Sequence, residues 1–353
     1  MGIDRKEATS LLDTLSVLSV ATNETGDDAT TPEEDWEDLP DDIVEAELQE
    51  ERQFRLQVRH KGRRHDTGSE KVLERLLADS DGLSDLIATY KPTRHEKVWL
   101  LSSLRDFYDQ GMITDVLASV KGGKEASVYC CRASQNIQEV VQSEFIAAKV
   151  YRPRIVRNLR NDAQYRAGRT VLTAEGKAVK NSDTRLMKAL GKKTAFGKQV
   201  QHTSWLMYEF TTLQALHQAG AAVPRPIAAS ENALLMEYIG DENRAAPTLI
   251  ETSLNQDEAQ LLFLEVKRNI ALLLSLGWIH GDLSAYNILY HNGKITLIDF
   301  PQVISREGNP DAEDLFYRDI TRICDYFTAM GVKANADHIA SELWRKFTGH
   351  TDN

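Results

Sequence analysis

The chain has 353 residues, a formal net charge of −11 and three cysteines, long enough for a large core and for one to three domains. The acidic balance argues against a nucleic-acid coat, and with Cys130 and Cys131 adjacent neither a disulfide framework nor metal-type cysteine spacing is expected. No apolar run reaches membrane-spanning length, and the first residues lack the basic-then-apolar order of a signal peptide, so a cytoplasmic protein with small buried cysteines is expected.

Residues 1–68 read as an acidic, largely disordered extension. The stretch 21–42 is rich in Thr, Asp and Glu and holds Pro32 and Pro40, and it offers too little apolar surface to offset chain ordering. The basic knot from Arg59 to Arg64 is either a solvated surface run or a contact for RNA or an acidic partner. Residues 69–112 are expected to form helices that pack on the next domain. Leu73, Leu76, Leu77, Leu83 and Leu86 keep helical spacing within 69–90. Leu100, Leu101, Leu104, Phe107 and Tyr108 fall on one face of a helix at 93–108 that Gly111 stops.

Residues 113–236 carry the marks of a phosphate-facing half. A strand at 113–120 is followed by Lys121-Gly122-Gly123-Lys124-Glu125-Ala126-Ser127-Val128-Tyr129, a Gly-rich turn entering a second strand. Such glycines let backbone N–H groups approach a phosphate with no Cβ in the way. A Walker loop is excluded by spacing and because a strand follows; an ordinary hairpin turn is the alternative. The strand 145–151 sets Lys149 in the middle of an apolar run, where a lysine is costly unless it meets negative charge. A nucleotide's phosphates and a partner carboxylate would supply that charge. The candidate partner is Glu209, on a helix at 203–218 whose apolar face is Leu206, Phe210, Leu213 and Leu216. An edge-strand lysine that guards against aggregation is the other reading. Between Lys149 and Glu209 lies a basic insertion, 152–202, with slight aromatic interleaving. It reads equally as a phosphate- or RNA-contacting segment and as a solvated loop.

In residues 237–353 the strand that ends at Gly240 would offer backbone groups to a purine edge, or be a buried strand and nothing more. A helix at 256–277 has Leu261, Leu262, Leu264, Val266, Ile270, Leu272 and Leu273 as its expected buried stripe. It delivers the chain to His280-Gly281-Asp282-Leu283-Ser284-Ala285-Tyr286-Asn287-Ile288-Leu289, then a turn at His291 to Lys294 and a return strand that ends in Asp299. Asp282, Asn287 and Asp299, on a hairpin and its lead-in loop, suit holding a divalent cation and a hydroxyl against a phosphate. Helices at 311–330 and 334–347 complete the chain, with Trp344 and Phe347 expected in the core.

This order of parts resembles the protein-kinase-like fold, and within it the RIO family of atypical serine/threonine kinases. Gly123 to Tyr129 resembles the family's short phosphate loop, His280 to Leu289 its catalytic loop, and Ile298-Asp299-Phe300-Pro301-Gln302 its metal loop. The resemblance spans roughly 95 to 345 and implies an α+β, two-lobed fold, with an antiparallel sheet plus helix in the N-lobe (113–236) and a mostly helical C-lobe (237–353). It implies ATP and Mg2+ as cofactors. Gly123, Lys124 and Ser127 would belong to the phosphate loop, Lys149 would bind the α- and β-phosphates beside Glu209, and backbone groups of Glu237 and Ile239 would hold the adenine. Asp282 would be the catalytic aspartate, with Asn287 and Asp299 as magnesium ligands, and Asp299 is also the position where the family forms an aspartyl phosphate. Unlike ordinary kinases, the chain has no Ala-Pro-Glu after Asp299, and it departs from the family pattern in three places: Ala285 stands where glutamate is frequent, the loop between Lys149 and Glu209 is long, and residues 1–90 do not resemble the winged helix of one branch. The implied activity is transfer of the γ-phosphoryl of ATP to a serine or threonine of a protein or of the chain itself, or ATP hydrolysis. The basic insertion would contact RNA or a ribosomal particle. The alternatives are a small-molecule phosphotransferase of the aminoglycoside type, which shares the His-Gly-Asp and Ile-Asp signals, and an ATP-gated ribonucleoprotein assembly factor with little kinase activity.

Overall fold

The computed structural model describes residues 87–123, 125–151, 171–173, 176–179 and 195–349. The extension 1–68, the helices expected within 69–86, Lys124 and most of the basic insertion lie outside the described residues.

Among the described residues, six strands form one sheet in the order β1 (Ile87–Ala88), β2 (Ile113–Gly122), β3 (Ala126–Ala133), β4 (Phe145–Tyr151), β6 (Ala233–Glu237) and β5 (Pro226–Ala229). Neighbours pair antiparallel except β1 and β2, which are parallel. This edge corrects the helical expectation for 87–90. The Thr89 N–H and hydroxyl both donate to the Asp115 carboxylate, at 2.8 and 2.7 Å, and the Tyr90 N–H donates to the Val116 carbonyl at 2.9 Å. Those partners lie 26 residues on, beyond the reach of any local periodicity.

Both faces of the sheet are covered. Helix α1 (Arg94–Asp109) starts at a reciprocal Thr93–Glu96 capping box and passes at its end into Gly111 at φ +64. It packs Leu100, Leu104 and Phe107 against Tyr129, Cys131, Ile146, Ala148 and Val150. After the short α2 (Gln135–Val141), α3 (Ala195–Gln218) covers the other face, with Leu206, Met207 and Phe210 against Tyr151 and Leu234. Side chains alternate along a strand. In β4, Ile146, Ala148 and Val150 therefore turn to α1, while Ala147, Lys149 and Tyr151 share the opposite face. A strand covered on both sides reads as a continuous apolar run, so Lys149 is conspicuous there.

The second half holds α4 (Gln256–Ser275), β7 (Trp278–Ile279), the hairpin of β8 (Ile288–His291) and β9 (Lys294–Leu297), β10 (Ile304–Ser305), α5 (Ala312–Ala329) and α6 (Ala336–Thr348). Its core joins Leu262, Phe263, Val266, Ile270, Leu273 and Leu274 of α4 to Phe316, Ile320, Phe327 and Leu343. Leu213 and Leu216 of α3 also enter it, so α3 ties the two halves together. The expected α4 stripe needs correction: Leu261 is 68% and Leu264 38% exposed. The helix has more apolar positions than one contact face can cover, and the position of α5 and α6 selects which are buried. Trp344 and Phe347 pack partly buried at the margin of this core. All three cysteines are buried and free. Among the described residues, no helix is long and apolar enough to cross a membrane.

Candidate active site

A cleft of about 870 Å³ opens between the sheet and the helical half. Gly123, Lys149, Glu209, Glu237, Ile239, Asp282, Asn287 and Asp299 all line it, brought together from β2 through to the loop after β9. Two expected members differ. Lys124 lies outside the described residues. Ser127 is buried, on the face of β3 away from the cleft that it shares with Tyr129.

Lys149 Nζ lies 2.7 Å from Glu209 Oε1 and 2.7 Å from Asp299 Oδ1. The lysine and Glu209 side chains are 9% and 2% exposed, whereas Asp299 is 46% exposed. Burial works against the ammonium charge, but Asp299 and Glu209 outweigh it and hold the lysine above its ordinary range. Crowding in the cleft pushes Asp299 upward, and Lys149 more than reverses this, leaving the carboxyl below its usual range. The second oxygen of Glu209 accepts from the Tyr151 hydroxyl, and the Tyr151 ring meets Trp205 edge-on at 4.8 Å between centroids.

The loops bearing Asp282 and Asp299 are tied at their base. β7 and β10 pair Ile279 with Ile304, closing the chain on itself around the β8–β9 hairpin. Buried His280 bridges the two loops. Its Nδ1 accepts from the Asp282 N–H at 3.4 Å, which leaves Nε2 to donate to the Ile298 carbonyl at 3.1 Å. Burial lowers the His280 pKa, favouring this neutral ring. Asn287 Nδ2 donates to the Asp282 carbonyl at 2.8 Å, and the Ile298 N–H donates to the Asn287 carbonyl at 2.9 Å. Asp299 sits at φ +70, a sparsely populated conformation for a side-chain-bearing residue and one that clusters at functional sites. The oxygens of Asn287 and Asp299 are donors of the hard type that Mg2+ takes, alongside phosphate oxygens.

At the far end of the cleft the Glu237 N–H donates to the Arg225 carbonyl at 2.8 Å, and the Ile239 carbonyl accepts from the Ala246 N–H at 2.9 Å. The adenine expectation therefore falls on the Glu237 carbonyl and the Ile239 N–H. Gly240, at φ +153, closes this segment; a Cβ there would lie 2.5 Å from the Arg244 carbonyl oxygen.

A family model described as the RIO domain matches residues 128–339. The chain belongs to the RIO family. It is 27% identical over 291 residues to the serine/threonine-protein kinase RIO1 of Chaetomium thermophilum, covering 80% of this chain and 51% of that protein. It is 32% identical over 136 residues to the RIO-type serine/threonine-protein kinase Rio1 of Haloferax volcanii, covering 38% of this chain and 46% of that one. The chain thus spans about half the length of these two relatives. A solved Rio2 kinase–ADP/Mg2+–phosphoaspartate complex from Chaetomium thermophilum aligns at TM-score 0.47 with 22% identity, covering 79% of this chain and 77% of that chain.

The RIO domain contains further site residues that the sequence reading did not find. From α5, Asp319 Oδ2 accepts from the Gly281 N–H at 2.8 Å, the Arg318 guanidinium donates to the Gly281 carbonyl, and Arg322 Nη1 lies 2.8 Å from Asp282 Oδ1. Burial pushes the Asp319 carboxyl up to about 7, against the opposing pull of Arg318 and the Gly281 and Leu283 N–H groups. One signal for Asp319 was present: it falls on the apolar face of α5 with Leu315, Phe316, Ile320 and Ile323. Tyr151 had a similar one, two residues past Lys149 on the same strand face.

Proposed function

We propose that this RIO chain is an ATP- and Mg2+-dependent serine/threonine protein kinase or ATPase. The observation that carries the reading is Lys149, buried and held between Glu209 and Asp299 at 2.7 Å each, in a cleft that Asp282 and Asn287 also line. An ammonium set there has one evident use, the neutralisation of phosphate oxygens, with Glu209 and Tyr151 fixing its direction. RIO membership favours protein hydroxyls over small-molecule acceptors.

Lys149 binds the α- and β-phosphates. The Glu237 carbonyl and Ile239 N–H hold the adenine edge, and Gly123 lets the phosphate loop approach closely. Mg2+, held by Asn287 and Asp299, supplies charge neutralisation on the phosphate oxygens when bound. Asp282 accepts the proton of the attacking hydroxyl. Catalysis is then mainly positioning and charge stabilisation. A cytoplasmic location and contact of the basic segment 152–202 with RNA or a ribosomal particle belong to the same reading, supported by family membership and composition.

The test is mass spectrometry of the full chain and a generic protein acceptor after incubation with Mg-ATP, alongside phosphate release. Phosphate on Ser or Thr supports a kinase; phosphate on Asp299 or only in water supports an ATPase cycle. No turnover and no nucleotide binding would sink both.

A further inference from the structure

We infer that Arg322 is a positioning residue for phosphoryl transfer, acting through the Asp282 carboxylate to aim it at the acceptor hydroxyl. The inference rests on the assignment of Asp282 made above.

Helix α5 sends three side chains to the loop that carries Asp282. Arg318 and Asp319 take the carbonyl and the N–H of Gly281 and so anchor the loop backbone. Arg322 stands one turn beyond Arg318 on the same face. It passes the backbone and meets the carboxylate itself, Nη1 to Oδ1 at 2.8 Å. The loop is anchored without it. The two partners are 43% and 39% exposed, and an ion pair so wet contributes little to folding stability.

Its effect is directional. The Asp282 backbone carbonyl is already taken by Asn287 Nδ2 at 2.8 Å. A guanidinium presents donors in a fixed planar fork, and on Oδ1 it removes the carboxylate's rotational freedom and leaves Oδ2 for the acceptor. In the transfer step, the acceptor oxygen bonds to the γ-phosphorus and the bond from that phosphorus to the β,γ-bridging oxygen breaks, releasing ADP. The hydroxyl proton passes to Oδ2. A carboxylate free to turn would spend part of its time misaligned, and misalignment lowers kcat without touching nucleotide affinity.

The experiment compares the full-length chain with R322M, R322K, D282N and R322M/D282N, reading phosphate transfer, the KM for ATP, nucleotide affinity and melting temperature. R322M should lower kcat by about 10- to 100-fold, no more than the lower end of the 10²–10⁴ that a positioned base supplies as a whole. ATP KM, nucleotide affinity and melting temperature should stay at wild-type values. R322K, which can still donate to Oδ1, should recover part of the rate. In the D282N background R322M should cost nothing further, because its partner is gone. A rate at or above wild type in R322M would overturn the inference and mark the contact as inert or autoinhibitory. An equal further loss in the D282N background would also overturn it, showing action independent of Asp282. If D282N transfer is below detection, the kcat–KM split of R322M and the R322K recovery decide. D282N with wild-type transfer would instead overturn the Asp282 assignment itself.

Discussion

Lys149 Nζ and Asp299 Oδ1 meet at 2.7 Å although they are 150 residues apart in the chain. The contact spans the two halves of the molecule, joining the central strand of the sheet to the loop after β9. Asp299 is the more exposed partner, and it is the one proposed to hold the metal. The lysine thus has one buried partner, Glu209, and one far more exposed, Asp299.

Replacing Lys149 with Met removes the proposed phosphate contact and leaves Glu209, 2% exposed, without its cation. Breaking a buried pair from one side costs about 3–5 kcal/mol. K149M should therefore melt roughly 10 °C lower, at about 2–4 °C per kcal/mol for a domain of this size. It should also show no shift on adding Mg-ATP. Thermal melts with and without Mg-ATP measure both effects.

D299N separates metal from nucleotide. The carboxamide still offers an oxygen but no charge, so the gain in nucleotide affinity on adding Mg2+ should fall at least tenfold, about 1.4 kcal/mol. Affinity without Mg2+ should hold, because Glu209 still orients Lys149. Calorimetric titration in the two buffers reads the difference. Equal Mg2+ dependence in wild type and D299N would remove Asp299 from the metal site.

Tyr151 earns a place in the site through its hydroxyl, which donates to Glu209. Y151F keeps the packing against Trp205 but loses a hydrogen bond to a charged group, worth about 1.5–3 kcal/mol. The expected result is a modest loss of stability and a several-fold rise in the KM for ATP, with kcat little changed. Denaturant melts and steady-state kinetics test it. A Y151F indistinguishable from wild type in KM would make the tyrosine a packing residue only.

Asp319 sets a pH dependence. Its carboxyl is raised from 3.8 to about 7, so between those values the folded chain keeps a proton that the unfolded chain has lost. Stability from this group is then highest at low pH, falls as pH rises across that window and levels off above about 7. The full fall is at most about 4 kcal/mol, at 1.36 kcal/mol per pH unit. D319N should flatten this slope. Asp299 acts in the opposite sense: its lowered pKa gives stability that is present above 3.8 and lost as pH falls further. Denaturant unfolding of wild type and D319N at stepped pH from 4 to 8 isolates the Asp319 slope as their difference, because His280, whose lowered pKa acts in the opposite sense in this window, is common to both.

Local chemistry made much of this legible in the chain. The bounds of β4 followed from a continuous apolar run, and Lys149 was visible because charge inside such a run demands a partner. The apolar spacing of Leu100, Leu101, Leu104, Phe107 and Tyr108 and the stop at Gly111 marked α1. Asn292-Gly293 marked the hairpin, where both residues adopt positive φ as a two-residue turn requires. Glu209 is the single acid of α3, and it meets Lys149 at 2.7 Å.

Tertiary structure decided what depends on contacts between distant segments. Periodicity could not say which apolar face of α4 would be covered, so Leu261 and Leu264 came out exposed. It could not reveal the parallel β1 edge, whose partners lie in β2. Nor could it show that Asp299 rests on Lys149, that Arg322 holds Asp282, or that Tyr151 completes Glu209. Each is a pairing of charged or polar groups that become neighbours only when the sheet, α3 and α5 pack together. Residue type states that a buried charge needs a partner, whereas the packing of the elements determines which partner it gets.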